Sequence, residues 1–369
     1  MKILQLVKWY HPWKGGMESV VKNLVDGILG ISKNTHFSVY ANKSPICKKE
    51  IEFFDRVTII KEYSQFYIKS QPISFGYKSL RKLIKENDVI HHHYPFPTME
   101  LALLRNLKKI ENKSFIITWH ANIANSRWSW IEKIYDPIIN KLLKRADWII
   151  ITSPQILELS KILKQYRNKV KVIPLSFDPK FSSSKRKEYP TERVFNLLFV
   201  GKLRKYKGLE YLLKAVEHLP VKLNIVGDGE EKDALERQVE FLNLKNKVSF
   251  YFDLSDNELS LMYKKSDLFI LPSVNEAEAF GVVQLEAMSN GLPVINTNLK
   301  SGVPYVSLNE ITGLTVEPKN TEALKKAIER IIFDKRLFEE FSTNSLSRSV
   351  EFSRNKMAQS YFNLYKLNN

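Results

Sequence analysis

The chain is poor in cysteine and in long hydrophobic runs. Cys47 is its one cysteine in 369 residues, which excludes an internal disulfide and favours a reducing compartment. Apolar runs such as Trp148–Ile151 have the length of a strand, whereas a helix needs ~20 apolar residues to cross a bilayer. The opening segment, MKILQLV, is too short and too lightly charged for a signal peptide and is typical of a buried first strand. We therefore expect a cytoplasmic protein without a transmembrane helix.

Patterns that bind metal ions are also scarce. No Asp-x-Asp occurs, so a carboxylate pair that holds a divalent ion on a diphosphate is not evident. Three histidines are adjacent at positions 91–93, but successive side chains of a strand alternate between faces, so only His91 and His93 share one. No cysteine or carboxylate follows them at a ligand spacing. The sequence therefore predicts no metal site.

Positive charge is concentrated in one half of the chain. The formal net charge is +17, and residues 1–173 carry 29 Lys and Arg against 14 Asp and Glu, whereas residues 174–369 carry 28 against 26. An anionic membrane surface or a polyanion such as nucleic acid would explain this asymmetry. A lysine-rich composition that keeps the protein soluble also explains it.

Short apolar runs alternate with helical patterns, which is typical of doubly wound α/β domains. The hydrophobic content of 44% excludes disorder, and the length predicts two domains. Residues 174–190 hold three prolines and a Ser-Ser-Ser run, and we expect them to link a domain over residues 1–173 to one over residues 191–349. We expect a helix near residues 350–369 to pack back on the first domain. Two such sheets would leave a cleft where the carboxyl ends of their strands bind ligands.

The most informative motif is NEAEAFGVVQLEAMSNGLPV at residues 275–294. Two helical residues eight positions apart would point about 80° apart, so we place Glu278 in a loop before a helix and Glu286 on that helix. The amides of Phe280, Gly281 and Val282 would then lie at the helix N-terminus, where an anion is attracted. A carboxylate beside an anion site suits a ligand with hydroxyl groups at one end and phosphates at the other. A nucleotide sugar is such a ligand.

Two turns after predicted strands could bind phosphate. In WKGGME, Gly15 and Gly16 permit close approach of the backbone before a helix, although a plain strand-to-helix turn has the same pattern. In VGKLRKYKG, Arg204 can bind two phosphate oxygens and Lys207 adds a point charge, although a solvated charged loop would look alike. His120 ends another strand, where a lone histidine is more often structural than catalytic.

Together these motifs resemble the retaining GT-B glycosyltransferases of family four. The resemblance covers nearly the whole chain and includes DVIHHHYPFP, TWHANI, GKLRKYKG and, most specifically, EAFGVVQLEAM followed by GLPV. LRKYKGLEYLL and SGVPYV are most similar to a bacterial branch that often transfers mannose in surface-polysaccharide assembly. The resemblance implies an α/β protein with two doubly wound Rossmann-like domains that face each other across a cleft.

The resemblance implies that the donor diphosphate meets the two glycine- and lysine-containing turns. Gly15 and Gly16 would approach its β-phosphate. Arg204 and Lys207 would neutralise its charge, while Lys202 stands where many relatives have arginine.

It also implies roles near the sugar. Glu278 would act in catalysis by holding sugar hydroxyls in a pocket lined by the amides of residues 280–282, and Glu286 would bind the ribose. His120, the second catalytic residue, would lie near the reacting carbon. Asn122 stands where the subgroup commonly has aspartate, so this position lacks the acidic side chain of the subgroup.

The implied reaction moves a hexose, with mannose favoured, from a nucleoside-diphosphate sugar to a hydroxyl group and keeps its anomeric configuration. GDP-mannose is the leading donor, and the acceptor would be a saccharide or a polyprenyl-diphosphate-linked saccharide. No cofactor and no metal are expected. The enzyme would be peripheral on the cytoplasmic face of the inner membrane, with the aromatic and basic residues of positions 128–144 against anionic lipid.

Three alternatives stay open. A GT-B epimerase would share the nucleotide-sugar motifs, although the His120 segment argues against it. A non-catalytic protein that binds nucleic acid or a membrane would explain the charge, but no recognised nucleic-acid module occurs. An inactive binder of sugar nucleotides is the third, although both signature glutamates are present.

Overall fold

The computed structural model describes residues 1–11, 16–43, 51–64, 66–68, 71–73, 77–122 and 132–367. The chain divides into two compact units. The first consists of Met1–Ser176 and Arg354–Asn369, and the second of Phe177–Ser353. Among the described residues, no helix combines the length and the apolar character that crossing a membrane requires.

The segment predicted as a linker is not separate from the two units. Residues 174–176 belong to the first unit and residues 177–190 to the second. Phe177 and Phe181 are buried, and Ser184 donates its backbone N–H to the carbonyl of Ser289. These contacts anchor the proline-rich segment on the second unit, so that unit begins well before residue 191.

The first unit contains a large mostly parallel sheet and a small hairpin. Its strands are β1 (Lys2–Leu6), β2 (His36–Asn42), β3 (Ile51–Phe54), β4 (Val57–Glu62), β5 (Phe66–Ile68), β6 (Gln71–Ile73), β7 (Val89–Tyr94), β8 (Ser114–Trp119), β9 (Trp148–Ile151) and β10 (Val170–Val172). The sheet order is β10-β9-β8-β7-β1-β2-β4-β3, with β3 antiparallel to β4, and β5 pairs with β6 alone. Every residue of β7 and β8 is buried, as in parallel sheets covered on both faces.

Helices connect these parallel strands. They are α1 (Gly16–Ile31), α2 (Leu80–Glu86), α3 (Pro97–Leu104), α4 (Leu107–Ile110), α5 (Glu132–Arg145), α6 (Pro154–Leu159) and α7 (Lys161–Lys164). Strand β1 lies between β7 and β2, so the strand order reverses beside it.

The second unit repeats this design with six parallel strands. They are β11 (Phe195–Val200), β12 (Val221–Val226), β13 (Val248–Tyr251), β14 (Leu268–Leu271), β15 (Val294–Thr297) and β16 (Gly313–Val316), in the sheet order β13-β12-β11-β14-β15-β16. The order reverses between β11 and β14. In open α/β sheets, ligands bind at the carboxyl ends of the strands at such a reversal.

The helices of the second unit follow local sequence signals. They are α8 (Leu209–Ala215), α9 (Lys232–Phe241), α10 (Asp256–Lys265), α11 (Val282–Met288), α12 (Val303–Val306), α13 (Thr321–Ile332) and α14 (Lys335–Ser349). Ser255 and Glu258 form a capping box that begins α10. In α13, Leu324, Ile328 and Ile331 form one buried stripe at helical spacing.

The last helix, α15 (Arg354–Leu367), belongs to the first unit although it directly follows the second. It packs on α1 at Gly27, where an added Cβ would lie 2.7 Å from the Cβ of Ala358. Tyr361 and Tyr365 of α15 are buried in the first unit. Gly27 therefore permits the close approach of these two helices.

Candidate functional site

The charged turn after β11 lies against the end of β14. Lys205–Lys207 form a single 3-10 turn, and Gly208 follows with φ of 67°. A Cβ on Gly208 would lie 2.2 Å from the carbonyl oxygen of Pro272, just after β14. Glycine is therefore required at position 208, and the turn is held at the reversal of strand order in this sheet.

Lys207 and Glu278 form a buried ion pair at this point. Lys207 Nζ lies 2.5 Å from Glu278 Oε2, and both residues are less than 10% exposed. Ser273 Oγ donates to the same carboxylate oxygen at 3.0 Å. Burial acts to lower the pKa of Lys207, but the Glu278 carboxylate and Tyr206 outweigh it, so the pKa is raised and the ammonium form is favoured. The structure thus brings together two residues that sequence reasoning placed on different parts of a donor.

Arg204 lies beside this pair. It is half-buried, and it lies close enough to the Tyr206 side chain and to Lys207 for its positive charge to lower the pKa of both. Lys202 and Lys205 of the same turn are exposed. Of the four cations in the turn, Arg204 and Lys207 are therefore the two that are not exposed.

The loop before α11 presents main-chain amides. Gly281 is its N-cap, with φ of 73°, and the Phe280 side chain is buried. No described residue accepts a hydrogen bond from the amides of Phe280, Gly281 or Val282. Glu278 lies in this loop and Glu286 on α11, which confirms the predicted placement of the two carboxylates.

Glu286 is surrounded by a different set of groups. Its Oε2 accepts a hydrogen bond of 2.5 Å from Tyr263 Oη of α10. Burial raises the pKa of Glu286 to about 7, and the charges of Asp178 and Asp256 also raise it, whereas Tyr263 and Lys180 lower it. Glu286 is therefore a carboxyl that titrates near neutral pH and could accept hydrogen bonds from ligand hydroxyls once it is ionised.

His120 directly follows β8, as predicted, and its imidazole is neutral. Its Nε2 lies 2.9 Å from Nδ1 of His93. Burial lowers the pKa of His120 to about 3, and the charge of His92 lowers it further. Asn122 Oδ1 accepts a hydrogen bond of 2.8 Å from Trp119 Nε1, so this side chain is tied to the last residue of β8.

The adjacent histidines occupy two faces of β7. The rings of His91 and His93 are 4.3 Å apart, whereas His92 bonds Glu100, which confirms that His91 and His93 share a face. Within the described ranges, no group of three His, Cys, Asp or Glu residues could hold a metal ion.

The glycine turn after β1 is only partly described. Gly15 lies outside the described residues. Gly16 is the first residue of α1, and a Cβ there would meet no described residue within 4 Å. Among the described residues, nothing therefore blocks a close approach by a phosphate at Gly16.

Sequence reasoning missed Ser273, Tyr206 and Tyr263. Ser273 could have been found, because it follows the end of β14 by two residues at a reversal of strand order. Tyr206 lies inside the recognised turn, but its contact with Arg204 depends on the turn geometry. Tyr263 is an ordinary helix residue in sequence, and only the packing of α10 brings it to Glu286.

Comparisons with known proteins agree with this architecture. Residues 14–181 match the family described as Glycosyltransferase Family 4, and residues 181–348 match that described as Glycosyl transferases group 1. O-antigen chain mannosyltransferase C of Escherichia coli is 28% identical over 375 residues, which cover 99% of this chain and 98% of that protein. D-rhamnosyltransferase WbpZ of Pseudomonas aeruginosa is 32% identical over 279 residues, which cover 74% of this chain and 71% of that protein.

Solved structures share the fold over essentially the full length. HepE of Anabaena in complex with UDP superposes with a TM-score of 0.75 at 19% identity, with 100% of both chains covered. Sucrose-phosphate synthase of Thermosynechococcus elongatus gives a TM-score of 0.76 at 20% identity, with 99% of this chain and 98% of that one covered. The chain therefore belongs to glycosyltransferase family 4, and its two Rossmann-like units have the GT-B fold.

Proposed function

We propose that this glycosyltransferase moves a hexose, with mannose favoured, from a nucleoside-diphosphate sugar to a saccharide or lipid-linked saccharide in surface-polysaccharide assembly. The observation that carries the proposal is the buried Lys207–Glu278 pair with Arg204 beside it. A sugar diphosphate offers partners to both halves of the pair, because its phosphate oxygens suit the cations and its hydroxyls suit the carboxylate.

The two cations would stabilise the leaving diphosphate. Negative charge grows on it as the glycosidic bond stretches, and preorganised donors aimed at that charge lower the barrier. Each charge-assisted hydrogen bond contributes about 1.5–3 kcal/mol. Arg204 and Lys207 would thus supply part of the ~8–23 kcal/mol by which enzymes lower barriers. We propose that this charge is neutralised without a metal ion or other cofactor, with Gly15 and Gly16 near the β-phosphate.

Glu278 would orient the sugar through its hydroxyls, and the amides of Phe280, Gly281 and Val282 would line the same pocket. Glu286 would accept hydrogen bonds from the ribose. His120 would lie near the reacting carbon as a neutral imidazole. We propose retention of configuration by front-face attack, in which the departing phosphate helps to deprotonate the acceptor hydroxyl.

The printed names of the relatives support the donor and acceptor classes. The Escherichia coli relative is an O-antigen chain mannosyltransferase, and the Pseudomonas aeruginosa relative is a D-rhamnosyltransferase. GDP-mannose is therefore the donor to test first. UDP-sugars are the main comparison, because HepE was solved with UDP.

A thermal-shift panel with GDP, UDP, ADP and their sugar conjugates, with and without EDTA, tests the proposal. A ligand that binds the native state raises the melting temperature by mass action. We expect a selective shift with GDP and GDP-mannose that EDTA leaves unchanged. A UDP-selective shift would show that the donor is a UDP-sugar and not GDP-mannose. A shift that EDTA abolishes would overturn metal independence. No shift with any nucleotide would contradict a nucleotide-sugar donor.

The anomeric configuration of the product tests retention. Proton NMR of the transferred or released sugar distinguishes the two anomers at early times. We expect the initial product to have the configuration of the donor, and the opposite anomer would contradict the proposed mechanism.

A further inference from the structure

A buried series of hydrogen bonds connects His120 to α15 within the first unit. His120 Nε2 lies 2.9 Å from His93 Nδ1, and His93 Nε2 lies 2.8 Å from Gln5 Oε1 of β1. Gln5 Nε2 donates to Tyr365 Oη of α15 at 3.1 Å, and that hydroxyl lies 2.7 Å from His91 Nδ1. We call these five residues the histidine relay.

Only one end of the histidine relay is accessible. His120 is 8% exposed, whereas the other four members are no more than 1% exposed. Burial lowers the pKa of His91 and of His93 well below the usual range, so both rings are neutral. A neutral imidazole has one N–H donor and one acceptor nitrogen, so each ring must donate on one side and accept on the other.

The orientation of the Gln5 amide sets the direction of the bonds from Gln5 through His93 to His120. Because its oxygen faces His93, the Nε2–H of His93 donates to it and Nδ1 of His93 must accept. His120 therefore donates through Nε2–H, and its Nδ1 is the acceptor nitrogen. If the Gln5 amide were reversed, His93 would donate to His120, and Nδ1 of His120 would carry the proton instead.

The Tyr365 hydroxyl is the partner of the Gln5 amide on the side of α15. Its oxygen accepts from Gln5 Nε2 and lies 2.7 Å from His91 Nδ1, and His91 Nε2 lies 2.7 Å from Thr118 Oγ1. Without this hydroxyl, neither end of the amide has a preferred partner on the side of α15. The orientation of Gln5 would then no longer be fixed.

We propose that Gln5 and Tyr365 are positioning residues that hold His120 in its Nε2–H tautomer, with Nδ1 as a hydrogen-bond acceptor for a hydroxyl group of the substrate. This proposal rests on the proposed function, in which His120 meets the sugar or the acceptor near the reacting carbon. It makes α15, which lies far from His120 in sequence, part of the support of the reaction centre.

The chain offers a matched pair of variants to test the relay. Tyr365→Phe removes the hydroxyl that orients Gln5. Tyr361→Phe makes the same change four residues earlier on α15, where the hydroxyl bonds Thr118 at 2.9 Å beyond the relay. Both side chains are almost fully buried, so the two variants change packing alike. Gln5→Met is close to isosteric and removes the hydrogen bond between Gln5 and Tyr365 from the β1 side. It is therefore the variant to measure if Tyr365→Phe does not fold.

Histidine-labelled NMR on the full chain reads the tautomer directly. Nitrogen-15 shifts distinguish a protonated from an unprotonated ring nitrogen, and the chain has only seven histidines, of which His120→Asn identifies the relevant signals. We expect wild type and Tyr361→Phe to show His120 protonated at Nε2, and Tyr365→Phe and Gln5→Met to show a mixture. An unchanged tautomer in Tyr365→Phe and Gln5→Met would overturn the proposal.

The rate of GDP release from GDP-mannose provides the second readout. We expect kcat to fall about tenfold in Tyr365→Phe, as when one hydrogen bond is no longer preorganised, with KM unchanged. Tyr361→Phe should change kcat less than about twofold. Equal losses in both variants would show that α15 packing, and not the link to Gln5, is responsible. The spectrum needs no donor, so it decides the relay even if wild type fails to use any nucleotide sugar, a result that would refute only the proposed function.

Discussion

Glu286 is a single carboxyl whose protonation changes close to neutral pH. Burial raises its pKa from 4.5 to about 7. Between these two values the folded protein holds a proton that the unfolded chain has released, so the free energy of unfolding falls as the pH rises through this window. The ionised form is therefore the costly one in the folded protein. Hydroxyl groups of a ribose that donate to the carboxylate would offset this cost.

We predict that GDP binding tightens between pH 6 and pH 8 because Glu286 loses its proton. In Glu286→Gln, this part of the pH dependence should disappear. Isothermal titration calorimetry at several pH values measures the affinity for GDP in wild type and in Glu286→Gln. The terminal phosphate of GDP also titrates at about pH 6. The contribution of Glu286 is therefore the difference between the pH profiles of wild type and Glu286→Gln. Parallel profiles would remove Glu286 from the ribose site.

The buried Lys207–Glu278 pair leads to a prediction about the stability of the protein. Lys207→Met should leave Glu278 buried without a cation and cost about 3 kcal/mol or more, which corresponds to roughly 6 °C in the melting temperature. The double variant Lys207→Met/Glu278→Gln should regain most of this loss, because no unpaired charge remains. Lys205→Met changes an exposed lysine of the same turn and should have little effect. Similar melting temperatures for Lys207→Met and Lys205→Met would contradict the buried pair.

Local signals predicted where these residues lie but not what they touch. Glu278 was placed in a loop and Glu286 on a helix because the eight-residue spacing and the Phe-Gly-Val turn are local. The contact of Lys207 with Glu278 spans 71 residues and depends on β11 being adjacent to β14, which periodicity does not reveal. The bond between Gln5 and Tyr365 spans 360 residues and has no signal in sequence.

At the scale of elements, the contact of α15 with α1 depends on one glycine. We predict that Gly27→Ala destabilises the first unit, because its Cβ would lie 2.7 Å from that of Ala358. Gly30→Ala in the same helix meets nothing within 4 Å and should stabilise α1 by up to about 1 kcal/mol. Thermal unfolding and proteolysis of the two variants measure the difference. Equal stabilisation by both substitutions would show that the helices pack less closely at Gly27.

The strands differ in how clearly the sequence signals them. Phe195–Val200 and Leu268–Leu271 are mostly apolar and almost fully buried, and such runs are typical of buried parallel strands. β3 was missed because it is an edge strand with Phe53 and Phe54 exposed, so it shows no alternation. β16 begins with Gly313, a residue type that is depleted in strands, and therefore gives a weaker strand signal.

At the scale of the molecule, the asymmetry of charge supports a peripheral position on an anionic membrane. We propose that the first unit binds such a surface on the cytoplasmic face of the inner membrane. Lys141 and Lys144 of α5 are exposed, whereas Tyr135 of that helix is buried against Glu100 and belongs to the core. Trp128 and Trp130, which were expected to assist, lie outside the described residues. Nucleic acid is not among the proposed partners.

Liposome sedimentation tests this position. We expect binding to vesicles with anionic lipid, weaker binding at high salt, and none to neutral vesicles. Lys141→Glu/Lys144→Glu should weaken binding about tenfold or more, since each lysine near the surface contributes ~1 kcal/mol. Lys264→Glu/Lys265→Glu makes the same charge change at exposed positions of the second unit and should have little effect. No preference for anionic lipid in wild type would contradict the proposal.

The return of α15 to the first unit also sets an order of events during synthesis. The ribosome releases residues 1–176 first and must then make all of residues 177–353 before α15 emerges. At ~5–20 residues per second, this takes on the order of ten seconds or more. Until then, the α1 surface that α15 covers is exposed, and Gln5 and His91 lack the Tyr365 hydroxyl. The nascent first unit can therefore complete its core only after translation of the second unit.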